Sequence, residues 1–326
     1  MKKILGSKIN KVFVTGGAGF IGSHLIEILL KQGYFVTCYD NLSSGKKNYI
    51  EKHFKNENFN FVKADLLDTV MLNNNLKNHE IVWHLASNTD IISSHENPKR
   101  DLEDGIIGTY NVLEAMRKCG LKEILFSSSG AVYGDLCKDI SVSENSGPLL
   151  PVSTYGANKI GCEALISSYS NVYGFNAWIY RFGNVVGSRM THGVIFDFIK
   201  KFKSNPSNLI IKGDGRQEKN YFLVEECIDG MAFGYRKTNI KEEKICEIFN
   251  LGTSTVSKVT KIAEIIKMKM NLCSATITIE GSKLAWPGDQ PRVHFEVEKM
   301  KKIGWKTKYT SDQSIEIAVE RMLLGK

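Results

Sequence analysis

Apolar and polar positions along the first half of the chain fall into two alternating rhythms. Residues 11–15 (KVFVT) form a short apolar run ahead of a glycine tract and predict a buried strand; residues 24–31 follow with the three- and four-residue apolar spacing of a helix. Further short runs at 34–40, 59–63, 81–85, 124–128 and 177–182 predict strands, and 108–118 and 155–170 predict helices. Short β-branched or aromatic strands alternating with helices specify an α/β fold built on a parallel, doubly wound sheet. Beyond about residue 184 the rhythm loosens. Residues 195–202 and 260–270 read as helices, 209–212 and 275–279 as strands, 213–215 as a turn and 286–289 as a loop. With no repeat of the first half, the expected organisation is one unit at 1–183 and a smaller α/β lobe at 184–326, their segments interleaved in space.

The 326 residues are enough for two packed units and a large core without disulfide or metal staples. A formal charge of +8 is scattered, with no basic run and no nucleic-acid motif, so an anionic small substrate suits it better than nucleic acid. Seven cysteines, odd in number and never spaced C-x-x-C, fit free thiols in a reducing cytosol. No leader-like apolar segment follows Met1, and no apolar stretch approaches the ~20 residues that cross a bilayer, so a cytoplasmic chain without a membrane partner is expected. His79, His84, His95 and His192 lack ligand spacing with Cys or acidic residues, and no metal is expected.

Glycine changes the picture, because four glycines fall within residues 16–22. Gly16, Gly19 and Gly22 stand at the junction of the first predicted strand and helix. There a first glycine permits a tight turn, a second lets backbone amides approach a pyrophosphate, and a third allows close helix–sheet contact. Eighteen residues past Gly22 the second strand ends at Asp40. A carboxylate there binds both hydroxyls of an adenosine ribose and repels a 2′-phosphate, which favours NAD over NADP, although Lys46 and Lys47 stand close enough to accept a 2′-phosphate instead.

A second constellation lies further along. Tyr155 and Lys159 are four apart at the start of a predicted helix and share a face. A neighbouring ammonium lowers a phenol's pKa and makes tyrosine a usable base near neutral pH. The fifth strand ends in Ser127-Ser128-Ser129, at the sheet edge where open α/β folds bind ligands.

With these motifs in place the chain resembles the extended short-chain dehydrogenase/reductase family, in particular its NAD-dependent nucleotide-sugar epimerases and dehydratases. The matching segments run in order from Val12 to Trp305: TGGAGFIGSHL, YDNLSSG, ADLLD, WHLAS, GTYNVLEA, FSSSGAVYGD, YGANK, RFGNVVG, GDG-Q, YFLVEE, FNLG, PGDQPR and IGWK. The resemblance implies a Rossmann-type sheet, bound NAD, a nucleoside-diphosphate sugar as substrate and a homodimer formed through the helices at Gly108 and Tyr155. It implies that Ser129 is the catalytic hydroxyl, Tyr155 the base and Lys159 its orienting cation. Phe20, Ile21, Asn41, Ser44 and Gly45 are implied as further cofactor contacts, Asp65 and Leu66 as flanking the adenine, and Leu85, Ala86 and Ser87 as passing along the cofactor. Asn184, Val194, Lys219 and Arg292 are implied on the substrate side.

Relatives that eliminate water carry an acidic pair directly after the catalytic hydroxyl, and decarboxylases keep a glutamate at its second position; this chain has Gly130 and Ala131. The expectation is therefore C4 epimerisation through a 4-keto sugar. A 4-dehydrogenase or reductase releasing the keto sugar, and a non-catalytic NAD-binding regulator, are the alternatives. Gly105 stands where relatives usually have asparagine, Lys219 where they have arginine, and Trp286 where an arginine commonly precedes Pro-Gly-Asp. Arg292 or Arg216 is left to supply the missing charge, and Phe182 and Gly183 replace an aromatic pair near the nicotinamide. His192 and Trp286 are further candidates for substrate contact, against the plainer reading of packed residues.

Overall fold

The computed structural model describes residues 3–6, 8–89, 94, 96–138, 140–239, 245–282, 284–286 and 288–325; His95 and Pro287 lie outside the described residues. Six strands of the first half, β1 (Lys11–Thr15), β2 (Phe35–Asp40), β3 (Phe59–Lys63), β4 (Ile81–His84), β5 (Glu123–Ser129) and β6 (Asn176–Phe182), pair in parallel in the order 3-2-1-4-5-6. Val12, Phe13 and Val14 are all fully buried, because helices cover both sheet faces; hence the unbroken apolar run in place of alternation. In the second half, β7 (Asn184–Val186), β8 (Asn208–Ile211), β9 (Glu218–Lys219) and β10 (Tyr221–Leu223) belong to small separate sheets. The chain then returns, and β11 (Cys246–Leu251) adds in parallel to the free edge of β6. Three short strands follow, β12 (Ser257–Lys258), β13 (Thr276–Ile279) and β14 (Arg292–Val293).

The helices, in chain order, are α1 (Phe20–Lys31), α2 (Thr69–Leu76), α3 (Gly108–Cys119), α4 (Thr154–Tyr173), α5 (Val194–Ser204), α6 (Val224–Thr238), α7 (Val259–Lys269) and α8 (Ser311–Leu323), besides shorter turns. α1 and α6 pack on one face of the large sheet, and α2, α3 and α4 on the other. α5, α7 and α8 enclose a third core with β8 and β10. α4 is well delimited: the Gly156 N–H donates to Ser153 Oγ at 3.1 Å at its start, and Gly174 ends it at φ +67°.

α6 and β11 were not legible as elements in the pattern. α6 carries Gly230 and Gly234, which lower helix propensity, but a Cβ on Gly230 would lie 2.5 Å from Leu251 and one on Gly234 2.7 Å from the Tyr180 hydroxyl. Close packing on the sheet, a long-range demand, overrides local preference. The chain's two halves therefore interleave, since residues 224–251 complete the sheet begun by residues 11–182. Among the described residues, no helix is long and apolar enough to cross a membrane.

Candidate active site

β1 leads to β2 on one side while β4 lies on the other, so the connections diverge and open a crevice at the strands' C-terminal ends. A cavity of about 450 Å³ occupies it, walled by the glycine loop, the ends of β2 to β5, the start of α4, residues 182–186 and 190–195, Lys219, Tyr221 and Trp286. Of the residues assigned from the sequence to cofactor, catalysis or substrate, all line this cavity except Arg292 and the alternatives Lys46, Lys47 and Arg216.

The three glycines differ in what surrounds them. Gly16 has φ +67°, and a Cβ there would lie 2.7 Å from the Ala86 nitrogen; a Cβ on Gly22 would lie 2.3 Å from the Gly16 carbonyl oxygen. Both serve the fold. A Cβ on Gly19 would meet only the Gly16 oxygen, at 3.2 Å, and otherwise stand in open space. Gly19 thus keeps a cradle clear at the start of α1, where unpaired amides and the helix dipole favour an anion.

Asp40 closes the far side. Its carboxylate accepts the Ala18 N–H at 2.9 Å and the Leu42 N–H at 2.8 Å, and burial pushes its pKa up. Asn41 donates to Asp65 at 2.7 Å, and the Tyr39 hydroxyl donates to the Asp65 carbonyl, which joins the ends of β2 and β3. Lys46 and Lys47 do not line the cavity; their ammonium groups lie over Tyr49 and Phe54.

The pleat of β5 separates the three serines. Ser127 donates to the His84 carbonyl and Ser128 donates to Glu163 on α4 at 2.5 Å, while Ser129 lines the cavity with Tyr155 and acts to lower its pKa. The Ala131 N–H donates to Ser129 Oγ at 3.2 Å, which leaves the Ser129 hydroxyl proton free to be donated elsewhere. Lys159, 3% exposed, donates to the Ser127 carbonyl at 2.7 Å, its Nζ 5.8 Å from the Tyr155 ring centroid. Enclosure pushes Tyr155 up to about 12, partly opposed by Ser129, and burial lowers Lys159 to about 8. The expectation that Lys159 brings Tyr155 towards neutrality is thus not met in the protein alone. Desolvation outweighs the effect of Ser129 and weakens the ammonium itself. His84 is a fully buried packing residue, with Nδ1 2.7 Å from Thr15 Oγ1 and Nε2 3.0 Å from Thr109 Oγ1.

Comparison with known proteins agrees with this geometry. Residues 12–252 match the model of the NAD dependent epimerase/dehydratase family. The chain belongs to that family. It is 34% identical over 317 residues to a putative UDP-glucose 4-epimerase of Methanocaldococcus jannaschii, covering 95% of this chain and 98% of the relative. It is 28% identical over 270 residues to UDP-glucuronic acid decarboxylase 4 of Arabidopsis thaliana, covering 81% and 58%. The structure of a Thermus thermophilus UDP-glucose 4-epimerase in complex with NAD superposes with a TM-score of 0.82 at 28% identity, covering 95% and 98%. NAD is the cofactor of this family, and the open cradle at Gly19 with Asp40 opposite fits a dinucleotide carrying an unmodified ribose.

The residues expected on the substrate side fall differently around the cavity. Asn184 and Val194 line the cavity, the Asn184 amide donating to the Asn220 carbonyl at 3.2 Å. Lys219 lines it too, but its ammonium is paired with Asp289 at 3.0 Å and lies over Trp286, so it is no free cation. Arg292, expected on the substrate side, stands outside the cavity wall. β14 pairs with β9 so that Val293, opposite Lys219, is buried, and Arg292 faces outward, half-exposed and 3.9 Å from Glu218. Arg216 is also exposed and outside the wall. The sequence did not single out Tyr49, Thr89 or the Met190–Thr191 wall, whose positions follow from loop paths that carry no periodic signal. Nor did it single out Glu163 and Arg181, a buried pair at 2.7 Å behind Ser128, although Glu163 continues the four-residue spacing of Tyr155 and Lys159. Among the described residues, no three His, Cys, Asp or Glu side chains gather as a metal site.

Proposed function

We propose that the protein is an NAD-dependent nucleotide-sugar epimerase that inverts C4 of a nucleoside-diphosphate sugar through a 4-keto intermediate. One observation carries the choice among family activities. Gly130 follows Ser129, and a Cβ on it would lie 2.4 Å from the Phe295 ring, a side chain 6% exposed. Phe295 therefore occupies the volume an acidic side chain would need, and Ala131 beside it transfers no proton. Elimination of water or carbon dioxide lacks its acid and base here, whereas reversible oxidation at one carbon needs, besides NAD as hydride acceptor, only Ser129, Tyr155 and Lys159.

In this reading the Gly16–Gly22 loop would hold the dinucleotide diphosphate, Asp40 the adenosine ribose, Asp65 and Leu66 the adenine, and Leu85, Ala86, Ser87 and Lys159 the nicotinamide half. When bound, NAD would supply a reversible acceptor for the C4 hydride. Tyr155, as phenolate, takes the C4 hydroxyl proton on its oxygen and, as the phenol so formed, returns it once the keto sugar presents its other face. Ser129 donates a hydrogen bond to the same oxygen, and the Lys159 charge offsets the phenolate. Because burial favours the protonated phenol, Tyr155 is strongest as the acid that protonates the returning alkoxide. The nucleoside diphosphate lies along Asn184 and Val194, with the ammonium of Lys219, held by Asp289, beside them. The homodimer reading is supported by Ile107 and Tyr110, leading into and on α3, and Val172 and Tyr173 on α4, which are exposed apolar or aromatic residues.

Incubation with UDP-, GDP- and CDP-hexoses should give C4 epimers with no net NADH. Stoichiometric NADH would instead favour a 4-dehydrogenase, and NAD binding without turnover a regulator. Tyr155→Phe should abolish turnover while NAD binding is retained; undiminished turnover refutes the assigned mechanism.

A further inference from the structure

Asn158 takes no part in the chemistry above, yet it lies on α4 between Tyr155 and Lys159 and is 3% exposed. The chain enters α3 through the helical turn Pro98–Asp101 and a π-helical stretch, Leu102–Ile107, whose wider turn breaks the regular hydrogen-bond register. Within it, Gly105 approaches Asn158 so closely that a Cβ would lie 1.9 Å from Nδ2 and 2.1 Å from Oδ1. The amide of Asn158 thus fills the volume of the side chain that position 105 lacks. Its Oδ1 accepts the Ile106 N–H at 2.9 Å, and its Nδ2 is buried without a partner among the described residues. One turn along α4, a Cβ on Gly161 would lie 2.5 Å from Ile106 Cδ1, so a second glycine lets the same two segments approach. The π-helical stretch follows directly on Asp101, a carboxylate 2% exposed whose charge acts on both Tyr155 and Lys159.

We propose that Asn158 is a positioning residue: its amide, lodged in the space opened by Gly105 and bonded to Ile106, sets the rotation of α4 and with it the placement of Tyr155 and Lys159 against β5. A small rotation at this turn shifts both reacting side chains, and misplacement by about 1 Å can cost on the order of 100-fold in rate.

The inference rests on the catalytic reading of Ser129, Tyr155 and Lys159. Its test is an amide swap between the two segments: Asn158→Ser, Gly105→Asn and the double variant. Asn158→Ser should lower kcat by roughly tenfold or more, with sugar-nucleotide KM within about threefold of the parent. Gly105→Asn, which forces two side chains into one volume, should also lose kcat. The double variant returns one amide to that volume and should recover to within about threefold of the parent; it also carries the test if a single variant fails to fold. Unchanged kcat in Asn158→Ser, or a double variant no better than the worse single, overturns the proposal. If the parent turns over no sugar nucleotide, the functional reading fails and the inference is decided by NAD titration. NAD affinity weakened in Asn158→Ser and restored in the double variant supports it, and unchanged affinity overturns it.

Discussion

Alanine at Gly19 and at Gly22 should have opposite consequences, although the two glycines stand three residues apart in the same loop. At Gly22 the new methyl would sit 2.3 Å from the Gly16 carbonyl oxygen and 2.7 Å from Gly17 Cα, and both obstacles are backbone. Overpacking of this kind costs about 1–3 kcal/mol, and the backbone contact places it at the upper end. Alanine's better helix propensity returns up to about 1 kcal/mol, which leaves about 2 kcal/mol of destabilisation. With an unfolding entropy of about 2.1 cal/mol/K per residue, that lowers Tm by about 3 °C in a chain of 326 residues. At Gly19 the methyl meets one atom at 3.2 Å and otherwise points into open space, so Tm should move by less than about 1 °C. The same methyl occupies the diphosphate cradle, however. Loss of one charge-assisted hydrogen bond costs about 1.5–3 kcal/mol, or roughly 10- to 100-fold in NAD affinity. Thermal unfolding of the cofactor-free variants and fluorescence titration with NAD read the two effects separately. NAD affinity within twofold of the parent in Gly19→Ala, or a Gly22→Ala variant as stable as the parent, would refute this division of roles.

Three further outcomes follow from buried charge. Lys159 titrates near 8, so activity that depends on its ammonium should decline about tenfold per pH unit above pH 8, and a kcat/KM profile flat to pH 10 contradicts that role. Stability responds with the opposite sign. The folded-state pKa lies below the ordinary 10.5, so the unfolded chain binds more protons between pH 8 and 10.5, and this group's contribution favours folding as pH rises through that window. Glu163→Ala strands the buried Arg181 guanidinium and should cost about 3–5 kcal/mol, read as a lower denaturant midpoint at unchanged slope. A loss under about 1 kcal/mol would show that water reaches Arg181.

What was legible in the sequence is what short segments encode. Six strands of the large sheet, the glycine loop and the four-residue spacing of Tyr155 and Lys159 all lie within a few turns of chain, where periodicity reports which face is buried. That is also why the placement of these residues around one cavity was readable: each follows the end of a strand, and a parallel sheet brings strand ends together. The helix and strand of the returning segment were lost, because the glycines that let α6 pack on the sheet also erase its local signal.

Tertiary structure alone decided matters that depend on partners far away in sequence. Three consecutive serines are chemically equal until the pleat of β5 and Glu163 on α4 claim Ser128 and leave Ser129 to Tyr155. Arg292 is a plausible diphosphate ligand by composition, but its pairing with Glu218 turns it outward. Gly130 reads as a missing acid in the sequence; in the fold its place is filled by Phe295, from more than 160 residues away. The amino-acid pattern determined which segments are strands, which loop suits a phosphate and which phenol has a lysine beside it, because these are local relations of hydrogen bonding and burial. Which side chains meet across the cavity, and which are shut out of it, was decided by packing between distant segments, where the volume left by one residue is taken by another.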